Sequence, residues 1–213
     1  MLHRFLIICC LVTLAAKNTF GHTVWIEPKN DRLVIRFAEP GNEFETSPGH
    51  LDSLSAPVSF VVVTNKATGL ETSKNTDHFS LKGVSPTDVV CTETIFTVRG
   101  GRKPYFYARW QPTATAGGGP LLNLDLVPTG KAGEVRAFFR GEPLAETKAF
   151  LRTPDGKEQE LTTDQNGFLR FAVKQSGQYL LTIPHYRENI PGIYLGRPYT
   201  QTSHNAAVSW TQP

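Results

Sequence analysis

The sequence predicts an all-β protein of two β-sandwich-like domains, the C-terminal one immunoglobulin-like or prealbumin-like, behind a cleavable signal segment. Three observations predict this. Apolar residues recur with a period of two along most of the chain, and no long stretch carries the helical period. Turn residues punctuate the second half about every ten positions. One glycine-rich stretch, Gln111 to Pro120, interrupts the pattern and holds no core-forming residue. The expected organisation is a signal peptide over 1–21, an N-terminal β domain over 22–110, a linker over 111–120 and a C-terminal sandwich over 121–213.

At the start, Arg4 precedes a 12-residue run, Phe5 to Ala16, that is too short to span a bilayer comfortably. Gly21, with Thr19 two residues earlier, meets the small-residue demand of a signal peptidase, so cleavage is expected before His22. Export to the periplasm or beyond follows. A rival site lies after Ala15. Cys9 and Cys10 would leave with the signal, and Cys91 alone remains, so no intrachain disulfide can form. Loss of Arg4 and Lys17 leaves 20 basic residues against 19 acidic ones. That balance offers no general attraction for nucleic acid or anionic lipid. No later segment is apolar enough for a membrane helix, so the mature chain is not expected to insert.

Val24 and Ile26, then Leu33, Ile35 and Phe37, alternate on either side of the turn Pro28-Lys29-Asn30-Asp31 and predict a first hairpin. Glu39 to Pro57 has no periodicity and reads as a loop. Val58 to Val63 is a continuous β-branched run suited to a strand buried on both faces. Val89 to Val98 and Tyr105 to Trp110 form strands joined through Gly100-Gly101. Beyond the linker, seven short strands are expected: around Leu122–Leu126, Val135–Phe139, Ala149–Leu151, Leu161, Leu169–Val173, Tyr179–Ile183 and Ala206–Trp210.

The expected mature start, His22-Thr23-Val24-Trp25-Ile26-Glu27-Pro28, is one feature of a known family. The others lie in the second half: Leu126-Val127-Pro128, Phe139 to Ala145, Thr163 to Gly167, Gly177 to Leu181, and His185. On these residues the chain resembles the bacterial periplasmic nickel- and cobalt-uptake component family, whose C-terminal half is similar to a carboxypeptidase-regulatory sandwich. The resemblance is specific at the start and over 121–213 and loose over 39–100. It implies an exported metal-handling protein, with a membrane metal transporter as its partner.

Five histidines remain after cleavage: His22, His50, His78, His185 and His204. A free His22 offers its α-amine and its ring together. The amine, with an ordinary pKa of about 7.7–8.0, is readily deprotonated by a divalent ion. Further imidazoles would make a nitrogen-rich site suited to copper, nickel, cobalt or zinc. Strand parity nominates them. His185 falls in line with Tyr179, Leu181 and Ile183, and His204 with Ala206, Val208 and Trp210. Antiparallel neighbours would bring both to one rim. The expected metal ligands are therefore His22, His185 and His204. The connection Arg187–Ser203 would lie over the site as a lid, with Tyr194 or Tyr199 at its rim.

Strand-end histidines are also commonly surface residues bonded to a nearby carbonyl, so a metal-free module for adhesion or carbohydrate contact stays open. A copper oxidase with an N-terminal histidine chelate is a third reading. His50 and His78 read as solvent-exposed, with a peripheral ligand as the minor alternative for His78. Glu43 and Glu45 read as a solvated pair unless their loop folds over the metal rim. Cys91 reads as a small buried hydrophobe, and Trp25, Trp110 and Trp210 as core residues. There is no G-x-S-x-G, H-E-x-x-H, P-loop or dinucleotide fingerprint, so the chain reads as a non-enzyme.

Overall fold

A computed structural model describes residues 21–63, 66–112 and 118–213. The expected signal segment, apart from Gly21, lies outside the described residues, as does 113–117 of the expected linker. The first hairpin pairs β1 (Thr23–Lys29) with β2 (Arg32–Ala38). Asn30 and Asp31 both take positive φ, 51° and 59°, which the tight two-residue hairpin turn requires. The remaining strands of this half are β3 (Val58–Val63), β4 (Lys66–Leu70), β5 (Thr72–Lys74), β6 (Phe79–Leu81), β7 (Val89–Ile95) and β8 (Arg102–Trp110).

All seven expected strands of the second half have counterparts, and three short strands join them. They are β9 (Leu124–Pro128), β10 (Glu134–Phe139), β11 (Glu142–Pro143), β12 (Lys148–Arg152), β13 (Glu158–Thr162), β14 (Phe168–Arg170), β15 (Gly177–Glu188), β16 (Gly192–Tyr194), β17 (Arg197–Tyr199) and β18 (Gln201–Gln212).

The strands form an all-β architecture around one large sheet, ordered β13-β12-β15-β18-β8-β7-β3-β4. Alternate residues of its central strands serve opposite faces. Phe106, Ala108 and Trp110 of β8 pack against Val24, Ile26, Leu33, Ile35 and Phe37 of the small sheet β1-β2-β6-β5. Tyr107 of β8 and Ala206, Val208 and Trp210 of β18 face the other way, onto Leu124, Leu126, Val135 and Ala137 of β9 and β10. Two sandwiches therefore share one sheet. Trp25, Trp110 and Trp210 are buried, and so is Cys91, whose thiol is pushed up to about 12 by burial.

The expected domains 22–110 and 121–213 thus each supply one sandwich but meet along hydrogen-bonded backbone. β18 runs parallel to β8 from Gln201↔Arg102 to Ser209↔Trp110. Across the same junction the Arg109 guanidinium pairs with Asp125, with 2.6 Å between Nη2 and Oδ2 and both side chains buried. Connection through 111–120 alone is an incomplete description, because the sequence cannot display pairing between strands a hundred residues apart. A second correction concerns Val58 to Val63. Val58 and Val63 are exposed, since β3 lies beside the edge strand β4 and is only partly covered.

Candidate metal site

His22 immediately precedes β1, and its ring lies against Phe37 of β2, with centroids 5.1 Å apart. The loop after β2 folds back over it. Glu45 N donates to Phe37 O at 2.9 Å, which fixes the return. A short 3-10 turn, His50–Ser53, follows and is anchored by the fully buried Leu51. Asp52 stabilises that turn by accepting from Gly49 N, Ser47 Oγ and Lys74 Nζ. These contacts hold the Asp52 carboxyl down at about 2.

Together these elements place Glu45 between two imidazoles. His22 Nε2 lies 2.5 Å from Glu45 Oε1, and His50 Nδ1 lies 3.3 Å from the same oxygen. One ligand atom from each of His22, Glu45 and His50 lies within 4.8 Å of the others, a spacing that a single metal ion can span. His22 and Glu45 are partly covered, while the His50 side chain is 57% exposed. The cluster thus opens to solvent on the His50 side. Burial pushes the Glu45 carboxyl up, but its hydrogen bonds to His22 and His50 and their charge prevail, and its pKa is lowered. A charged carboxylate with two imidazoles is a donor set compatible with a divalent transition metal.

His185 reaches the same cavity by a different route. This space of about 380 Å³ is lined by His22, His50 and His185 together with Phe37, Phe96 and Phe106. The approach to the chain start is close: a Cβ on residue 21 would stand 2.6 Å from His185 Nε2. Burial, followed by the charges of Arg102 and Arg187, lowers the His185 pKa, which favours the neutral ring with a free lone pair.

The parity argument for His185 and His204 is corrected by a bulge in β15. Pairing with β18 runs regularly to Ile183↔Ala206 and resumes at Tyr186↔His204. Pro184 has no N–H for the ladder, and His185 takes a φ of 58°. Tyr186 consequently takes the face that His185 would have held. His185 turns to the opposite face, where its N–H donates to Asn205 Oδ1.

His204 remains on the inner face, away from this cavity. It stacks on Tyr105, with centroids 5.1 Å apart, and its nitrogens meet Tyr107 Oη at 3.1 Å and Glu188 Oε2 at 3.0 Å. Both nitrogens are engaged. The structure therefore gathers His22 and His185 and leaves His204 out.

Two participants were not selected from sequence. His50 was read as exposed with no role, and Glu45 as solvated unless its loop closed. The loop does close. His78, also read as solvent-exposed, is largely covered and held by Asp77 at 2.5 Å. Of the Arg187–Ser203 connection, expected as a lid, Ser203 lines the cavity. The connection forms the β16–β17 hairpin, and Tyr194 and Tyr199 face Lys103, at 4.4 and 5.8 Å from their ring centres.

No helix among the described residues is long and apolar enough to cross a membrane. No protein-family model matches the chain, and a search among curated proteins returns no match.

Proposed function

We propose that this protein is an exported, cell-envelope carrier of a divalent transition metal, nickel, cobalt or copper. The ion would be held by the N-terminal chelate of His22 together with Glu45 and His50, and passed on to a membrane transporter. The observation that carries the reading is the convergence of these three side chains from two separate segments onto one point. The position of His185 supports the chelate. Cleavage before His22 would remove the backbone that abuts the His185 ring and leave a new amine at that boundary. The early motif and the prealbumin-like pattern of the second half support the same placement in the nickel- and cobalt-uptake family.

The test is calorimetric titration of nickel and copper into protein whose N-terminus is sequenced as His22. The comparison is a form that retains Gly21. A peptide nitrogen keeps its proton near neutral pH and is a poor donor, so the extended form should bind at least about tenfold more weakly. His50→Ala should weaken binding similarly. Equal affinity for all three forms would refute the site.

One observation favours the alternative of a metal-free interaction module. The β16–β17 hairpin exposes Ile193 and Leu195, at 74% and 81%. An interaction module would retain its partner after His22, Glu45 and His50 are all substituted.

A further inference from the structure

The β7–β8 turn brings two like charges together at the mouth of the metal cavity. Arg99 and Arg102 face each other across Gly100-Gly101, and their backbones exchange both hydrogen bonds, at 3.0 and 3.1 Å. Both residues line the cavity that holds His22, His50 and His185. Directly opposed like charges are unfavourable unless something neutralises them. Arg36, Arg109, Arg140, Arg152 and Arg170 all have carboxylate partners. Arg99 and Arg102, like Arg32, Arg136, Arg187 and Arg197, have no ion-pair partner among the described residues, and of these only Arg99 and Arg102 line this cavity.

The charge balance of the occupied site sharpens this. A divalent ion and two guanidiniums would bring four positive charges. Glu45 at the cluster and Glu39, 3.8 Å from His22 Nδ1, return two negative ones. Two positive charges are left over. The protein side chains also leave coordination positions open, and the cavity of about 380 Å³ is large enough for a small organic molecule. Its phenylalanine wall suits a carbon skeleton better than a hydrated inorganic ion.

We propose that the cavity binds the metal together with a small polycarboxylate. One carboxylate would sit in the guanidinium forks of Arg99 and Arg102, and another would complete the metal's coordination. This rests on the metal-binding reading and extends it: the cargo is a metal chelate of net negative ligand charge, rather than the bare ion. Planar guanidinium forks match a carboxylate through paired hydrogen bonds, which a lysine cannot reproduce.

The experiment uses the protein as isolated, with its N-terminus sequenced, in four titrations: nickel alone, citrate alone, and citrate or inorganic phosphate into nickel-loaded protein. An Arg99→Gln/Arg102→Gln double variant is run beside the wild type. The expected result is one citrate retained per nickel-loaded chain. The double variant should bind nickel alone at least as tightly, because two positive charges leave the cavity, and hold citrate at least about tenfold more weakly. Citrate that strips nickel equally from both proteins, or binds both equally, overturns the proposal while leaving the metal site standing. Inorganic phosphate held as tightly as citrate also overturns it, because the ligand would then be a simple oxyanion. Absence of nickel binding in the first titration refutes the metal reading and this proposal with it. Circular dichroism of the variant confirms that a lost arm reflects binding rather than unfolding.

Discussion

Glu45 carries the residue-scale argument, because one carboxylate oxygen meets both His22 and His50. Burial works against its charge, yet the two imidazoles win and its pKa falls below the ordinary value of 4.5. The linkage sign follows from that direction. A folded-state pKa below the unfolded one means that the unfolded chain binds more protons as acid is added. The stability Glu45 contributes is therefore present above the ordinary carboxylate range and lost as pH falls through the lower, folded value. Glu45→Gln should melt below the wild type at about pH 6, and the two melting curves should converge as pH falls through the lowered folded-state value. A gap that stays constant across that range would mean the carboxylate charge contributes nothing. In metal titrations at neutral pH the same variant should lose at least about tenfold in affinity, since it replaces an anionic ligand with a neutral amide.

At the scale of elements, period-two alternation made most strands legible, because an alternating strand announces itself locally. The β1–β2 hairpin and the Gly100-Gly101 turn follow directly from their residues. The loop over Glu39 to Pro57 did not, since Glu45 and His50 reach His22 through contacts made elsewhere: Phe37 O for the return, and Leu51 for the anchor. The bulge in β15 defeated the parity count for a different reason. Counting residues assumes that each advances the ladder by one step, and Pro184-His185 does not. A proline inside an apparent central strand was the signal available.

The left-handed backbone at His185 gives this element its own prediction. His185→Gly should leave the fold intact, because glycine adopts a φ near 58° without penalty. His185→Val should be less stable than His185→Gly by about 1–2 kcal/mol, read from urea midpoints, since a β-branched residue resists that conformation. Equal midpoints would show that the bulge relaxes at little cost.

For the whole molecule, the deciding feature is that the two sandwiches share a sheet. Nine residue pairs align between β8 and β18, and the buried Arg109–Asp125 pair lies across the same junction. Removing one partner of such a pair strands a charge and costs about 3–5 kcal/mol. Separating the halves would also strip Tyr107 and Cys91 from the second core, where they pack with Ala206 and Val208. The chain should therefore unfold in a single thermal transition rather than as two independent domains. A sharper test inserts a specific protease site between residues 112 and 118 and cuts the folded protein. The two fragments should co-elute as one species under native conditions and part only in denaturant. Asp125→Ala should lower the denaturant concentration at which they part, because it leaves Arg109 buried without its carboxylate. Fragments that separate on cutting, with the strands of each still folded, would mean that the β8–β18 ladder is too weak to join them. The covalent connection would then be what holds the half that carries the His22–Glu45–His50 cluster to the half that supplies His185.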